Sequence, residues 1–256
     1  MKKPLFSCLT LLALIMIHPA QARTPEQIHA SGVLKVGVPG DYAPLAWHNP
    51  QGKLQGYDID MAEKIAAALH LKVEYVISSW PDLSRDLAAD KFDIAMGGVT
   101  ATPQRAQQFA LTAPVVPNGK IALANCANSS TLSSLEKIDR PEVKVVVNPG
   151  GTNESFVNSH IKQAQIIRVP DNVQNLQALR DKRADIMFTD LIEGEYYQSS
   201  EPGVLCLATP TPIAGSESYK VYMVKQEDSA LIPGINQLLT GKTRQQLGEK
   251  WHLSQP

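Results

Sequence analysis

The chain has 256 residues, with 24 lysines and arginines set against 25 aspartates and glutamates, for a formal net charge of −1. This balance excludes a nucleic-acid binder, which needs a basic face. There is no run of five like charges and no low-complexity tail, and the length suits one large domain or two medium lobes with a real core. The 6 histidines and 3 cysteines show no metal-ligand spacing, so no metal is expected, and no organic-cofactor motif is signalled.

The chain begins like a targeting segment. Lys2 and Lys3 give a positive start, Leu5 to Ile17 is almost wholly apolar, and Ala20-Gln21-Ala22 has the small-x-small cleavage pattern. A bilayer span needs roughly 20 apolar residues. The run falls short of that, so 1–22 reads as a cleaved signal peptide rather than an anchor. Nothing downstream is long and apolar enough for stable membrane insertion. The expected compartment is the periplasm, with Arg23 as the first mature residue and a net charge of −3 once Lys2 and Lys3 are gone. Cys8 leaves with the leader. Cys126 and Cys206 remain, and in an oxidising compartment an even pair reads as one disulfide. The rival reading is two buried thiols.

Two βα runs follow. Val33 to Val38 alternates as a strand, and Gly40 and Pro44 break it. Asp58 or Asp60 can cap a helix whose apolar face is Met61, Ala62, Ile65, Ala66 and Leu69. Leu71 to Ile77 is the next strand, Pro81 opens a helix, and Phe92 to Met96 is a buried strand ending at Gly97-Gly98. The plan recurs with a strand at Val143 to Val147, a helix from Asn153, a strand at Gln165 to Val169, a helix at Val173 to Arg180 and a strand at Ala184 to Thr189. Ser218 to Val224 returns as a strand, followed by helices at Ala230 to Leu239 and Lys242 to Trp251. Alternating strands and helices imply parallel sheets. Two such lobes invite a ligand between the carboxyl ends of their strands.

Four segments fall at such ends. Gly40 to Leu45, with Trp47 beyond, offers Tyr42 and Trp47 as an aromatic wall or simply as core aromatics. Thr100 to Arg105 offers a hydroxyl, a backbone N–H and a guanidinium fork suited to a carboxylate. Alternatively, Arg105 is a solvated surface residue. Asn148 to Asn153 places two glycines before a helix start, an arrangement that binds anions through backbone N–H groups, or is a plain turn. It is neither a Walker loop nor a dinucleotide fingerprint. Thr189 to Glu193 puts Asp190 and Glu193 three residues apart, on one face of a helical turn. Both acids could merely complement the helix dipole. At a cleft, their repulsion and desolvation would raise at least one pKa.

Gly40 to Leu45, Gly56-Tyr57-Asp58-Ile59-Asp60, Asp93 to Met96 and Thr102-Pro103-Gln104-Arg105 together resemble family 3 of the extracytoplasmic solute-binding proteins. The resemblance covers essentially all of the mature chain. It implies an α/β type 2 periplasmic-binding (Venus-flytrap) fold with a two-strand hinge: lobe 1 over 23–118 and 217–256, lobe 2 over 119–216. It also implies that Arg105 grips a ligand carboxylate and that Asp190 takes an α-amine. A narrower resemblance, to the periplasmic cyclohexadienyl dehydratases of the same superfamily, is carried by Ser79 to Leu83, Val147 to Glu154, Pro170 to Val173, Thr189 to Glu193 and the placement of Cys126 and Cys206. It implies a lyase acting on prephenate or arogenate. Glu193 then matches its general acid, and Trp80, Arg105, Lys120, Asn148 and Thr152 match its substrate-pocket positions; Tyr42, Thr100, Gly151 and Asp190, from the strand-end segments, complete the candidate substrate-binding set. Gly97 departs from that pattern, which has Ser there, at the cost of a hydroxyl near the pocket. The alternative is a non-catalytic amino-acid carrier, and only then is a membrane transporter a partner.

Overall fold

The computed structural model describes residues 23–253, so the leader expected over 1–22 lies outside the described residues. Two five-stranded sheets organise the chain. In the first, Val33–Val38 pairs in parallel with Lys72–Ile77 on one side and Ile94–Ala95 on the other. Met223–Lys225 then runs antiparallel to Ile94–Ala95, with Phe109–Leu111 on its far side. In the second, Lys144–Val147 lies between Gln165–Arg168 and Ile186–Asp190, again in parallel. Lys120–Asn125 runs antiparallel to Ile186–Asp190, and Leu205–Leu207 closes the edge. The strand plan is therefore the same in both lobes: second, first, third, an antiparallel crossing strand, then an outer edge.

Burial explains the pattern. The parallel strands flanked on both sides read as unbroken apolar runs, with Val145, Val146 and Val147 nearly inaccessible, as sheets covered on both faces require. Separate apolar clusters lie above and below each sheet. The chain passes between the lobes twice, and its two crossings, Val116–Asn118 and Ser218–Lys220, pair antiparallel as a two-stranded hinge. Cys126 and Cys206 form a disulfide that ties the crossing strand of the second lobe to its edge. Among the described residues, no helix is long and apolar enough to cross a membrane.

Several boundaries differ from the sequence reading, each for a local reason. The third strand of the first lobe shortens to Ile94–Ala95 because Gly97 and Gly98 both adopt positive φ and end it. The return segment splits into Ser218–Lys220 and Met223–Lys225 because it leaves the hinge pair to join the first sheet. The helix after Gly56 starts at Tyr57, and neither Asp58 nor Asp60 caps it. Asp58 is buried and accepts hydrogen bonds from the N–H groups of Gly97 (2.9 Å) and Gly98 (3.0 Å) and from the Tyr222 hydroxyl (2.7 Å). Asp60 turns outward to Lys250 and Trp251. The helix placed from Asn153 starts at Thr152, and that placed from Val173 starts at Asn172, where Asp171 accepts from the Gln174 N–H as its cap.

Candidate active site

The carboxyl ends of both parallel sets face each other across a cleft. Tyr42, Trp80, Thr100, Arg105, Asn148, Gly151, Thr152 and Asp190 all line it, along with Gly98, Asn153, Asn172 and Lys220. The lobes are closed: the free space is about 20 Å³, close to that of a single water. A larger cavity, of about 900 Å³, lies behind the hinge and holds none of the expected site residues but Pro44 and Leu191 from the segments around them. We place the chemistry in the smaller space, because buried charges converge there.

From the first lobe, Thr102 caps the Pro103–Gln108 helix by accepting from the Arg105 N–H. This aims the Arg105 guanidinium inward, where its Nη1 donates to the Thr100 carbonyl (2.8 Å). Trp80 meets Tyr42 edge to face, with ring centroids 5.8 Å apart, and its Nε1 donates to Asp41 (2.9 Å). Trp47 does not join this wall. It packs instead on Tyr196 and Trp251, so the aromatic pair is Tyr42 with Trp80. Gly98 lies so near the Tyr42 ring that an added Cβ would stand 2.6 Å from it. At Gly97 a Cβ would point instead toward Val38, Pro39 and Ala46, so a hydroxyl there would enter lobe packing rather than the cleft.

The second lobe supplies Asp190 and Glu193. Asp190 ends its strand under four donors. Asn118 Nδ2 and Lys120 Nζ reach Oδ1, both at 2.7 Å. Tyr42 Oη (2.6 Å) and Lys220 Nζ (2.5 Å) reach Oδ2. Burial alone would raise this carboxyl, but the two lysines overcome it and hold Asp190 well below the usual carboxylate range. The α-amine partnership expected for Asp190 is thus pre-empted by the protein's own lysines. Lys120 also donates to Thr152 Oγ1 (2.8 Å) and Asn153 Oδ1 (2.5 Å), so it sits across the start of the Thr152–His160 helix. The anion loop is partly spent on itself as well, since the Gly150 N–H donates to Glu154 (2.8 Å).

Glu193 is fully buried one layer behind the cleft wall, not on its surface. Its Oε1 accepts from Asn172 Nδ2 (2.6 Å), and its Oε2 meets the Thr189 hydroxyl. Burial pushes its pKa up to about 8; the neighbouring Asp41 and Asp190 carboxylates add to the rise, and the Thr189 and Asn172 contacts oppose it. The two acids are three residues apart, Asp190 ending its strand and Glu193 in the first turn of the Leu191–Ser200 helix, yet their surroundings drive them in opposite directions.

Sequence reasoning missed Lys220, Asn172 and Asp41. Asn172 spans the lobes: its Nδ2 donates to the Asp41 carbonyl (3.1 Å) as well as to Glu193, and its N–H donates to the Asp41 carboxylate (3.2 Å). Asn175 then links Asn172 to Asn148 on the cleft wall. The available signal for Lys220 was a lone charge inside an otherwise apolar return strand. Asp41 and Asn172 lay inside quoted motifs but carried no local mark of a role.

Residues 34–254 match the family model of the bacterial extracellular solute-binding proteins, family 3, and the chain belongs to that family. It is similar to cyclohexadienyl dehydratase of Pseudomonas aeruginosa, 37% identical over 223 residues, covering 87% of this chain and 82% of that protein. It is also similar, at 26% identity over 242 residues, to a probable amino-acid ABC transporter-binding protein of Haemophilus influenzae, covering 93% and 91%. Among solved structures, an ancestral amino-acid-binding protein described as a precursor of cyclohexadienyl dehydratase superposes with a TM-score of 0.79 at 29% identity, covering 88% of this chain and 98% of that one. An ancestral cyclohexadienyl dehydratase superposes at 0.53 with 40% identity, covering 90% and 97%.

Proposed function

We propose that this member of the family is a periplasmic dehydratase that converts prephenate to phenylpyruvate and arogenate to phenylalanine. The observation that carries this reading is Glu193, a carboxyl kept protonated near neutral pH by complete burial beside a cleft rich in cations. A carrier has no use for such an acid. A lyase that must protonate a departing hydroxyl does. The 37% identity to the Pseudomonas aeruginosa dehydratase, against 26% to the Haemophilus influenzae binding protein, supports the same choice.

The reaction balances with one proton. The bond between the ring and its carboxylate breaks to release CO₂, and that electron pair completes the aromatic ring. The ring hydroxyl leaves on the opposite carbon and departs as water with the proton from Glu193. Aromatisation supplies the driving force, so the protein's task is to place the proton and hold the substrate. In this reading Arg105 and the start of the Thr152–His160 helix anchor carboxylates, while Trp80 and Tyr42 line the ring. The ring hydroxyl is directed toward Asn172, the wall residue that donates to Glu193 from the cleft side. Lobe closure excludes water and keeps Glu193 desolvated. Entry requires the lobes to part, since the closed cleft has room for about one water.

Adding prephenate to the purified protein and following phenylpyruvate absorbance tests the proposal. Turnover is expected. Micromolar binding of an amino acid with no turnover of prephenate or arogenate would replace the lyase with a carrier.

A further inference from the structure

We infer that the cleft prefers a 2-keto acid side chain over the corresponding 2-amino acid, with Lys220 as the specificity-determining residue. Resting on the lyase reading above, this makes prephenate the better substrate than arogenate.

The argument is one of hydrogen-bond capacity. A carboxylate offers about four lone-pair sites, and Asp190, the acidic side chain lining the cleft, has all four occupied by Asn118, Lys120, Tyr42 and Lys220. Both lysines are equally committed. An ammonium has three N–H groups. Those of Lys220 go to Asp190, the Gly98 carbonyl (2.9 Å) and Thr100 Oγ1 (3.0 Å), with the Tyr42 ring 4.7 Å away. Those of Lys120 go to Asp190, Thr152 and Asn153. Lys220 and Asp190 are each only 2% exposed. A ligand ammonium could reach Asp190 only by stripping a buried lysine of its partner, and an uncompensated buried charge is costly.

Charge points the same way. Arg105 and Lys220 line the cleft and Lys120 stands behind Asp190, so these cations outnumber the carboxylates that face them, Asp190 and the deeper Asp58. Prephenate carries two carboxylates and no amine, so it matches that surplus; arogenate carries an ammonium into it. Asp41, another carboxylate beside the cleft, faces a separate cavity at the cleft mouth and is engaged by Trp80 and Asn172. Donors, in contrast, are plentiful for a keto oxygen: Arg105 has N–H groups beyond the one given to Thr100, and the first N–H groups of the Thr152–His160 helix lack intrahelical partners.

The test compares phenylpyruvate with L-phenylalanine by calorimetry, a pair differing only in the keto or amino group, alongside kcat/KM for prephenate and arogenate. Phenylpyruvate should bind at least about tenfold tighter, a difference of about 1.4 kcal/mol, and prephenate should lead by a similar factor in kcat/KM. Lys220→Met, which frees one acceptor site on Asp190 Oδ2 while Tyr42 keeps the other, should collapse or invert both ratios, whereas Lys220→Arg should preserve them. Equal affinity for the two acids in the unmodified protein, or ratios unmoved by Lys220→Met in a variant that keeps its circular dichroism, would overturn the inference. The binding arm needs no catalysis. Keto preference without turnover would sink the lyase and leave this inference standing, and equal turnover of both substrates would do the reverse.

Discussion

In the first lobe the third strand, Ile94–Ala95, runs out at Gly97-Gly98, and the nearest buried carboxylate, Asp58, is spent on those two backbone N–H groups and on Tyr222. Burial lifts Asp58 to about 6, with those hydrogen bonds opposing the rise. In the second lobe the matching strand, Ile186–Asp190, runs out at an aspartate held ionised by two lysines, and a glutamate raised to about 8 follows one turn later. Strand order, strand direction and burial are alike in both. What differs is the chemistry placed at the strand ends. In the proposed reading the first lobe brings walls and an anchor, Tyr42, Trp80 and Arg105, and the second brings a proton donor. Shared architecture therefore fixes where a site lies, and the few side chains at the strand ends decide what it does.

This division of labour can be broken most sharply at Glu193. Glu193→Gln should lower kcat by roughly 10²–10⁴-fold while leaving KM within a few fold, because only the proton is removed. Steady-state kinetics on prephenate decides it; an unchanged kcat would take the acid out of the second lobe. Next in size is the first lobe's anchor. Arg105→Met should raise KM by about 10- to 100-fold with a smaller change in kcat, as expected for loss of a charge-assisted hydrogen bond worth about 1.5–3 kcal/mol. A loss confined to kcat would show that the first lobe does chemistry too.

The pH dependence sharpens the comparison. Glu193 must hold its proton to act, so kcat should be sustained below about 8 and fall as pH rises through that value. Stability should follow the same group. A carboxyl raised from 4.5 to about 8 on folding stabilises the native state fully below the lower value, and this contribution is lost as pH rises through the higher one. Glu193→Gln, which cannot ionise, should therefore gain thermal midpoint relative to the unmodified protein as pH rises, the gap being smallest near about pH 5 and largest above about pH 8. Differential scanning calorimetry across that range reads it. A gap independent of pH would mean that Glu193 is not held neutral.

The smallest effect concerns the contact between lobes. Asp41→Asn removes a negative charge facing Glu193 from the first lobe, while Asp190 with its two lysines, Tyr42 and Tyr197 remain around it. The upper limb of the kcat profile should move down by a unit or less, because a nearby carboxylate raises the proton affinity of its neighbour. An upward move would reverse the assigned sign of that contact.

Much of this was readable from the sequence because it is local. The apolar runs at Val33 to Val38 and Val143 to Val147, the repeated alternation of strand and helix, and Gly97-Gly98 after a buried strand all act within a few residues, so backbone sterics and burial leave few alternatives. The convergence of Tyr42, Arg105, Asn148 and Asp190 followed once each was placed at a strand end, whereas Trp80 came only from the resemblance. Tertiary structure alone decided the partners. That Asp190 is saturated, that Lys220 arrives from the hinge, and that Asn172 joins Asp41 to Glu193 depend on residues 21 to 148 positions apart in sequence. An ionisable group's charge is set by the dielectric and the charges within a few ångströms of it, and no sequence spacing records those distances. Hence two carboxylates three residues apart could be located by reading the chain, but which of them keeps its proton was settled only when the lobes folded around them.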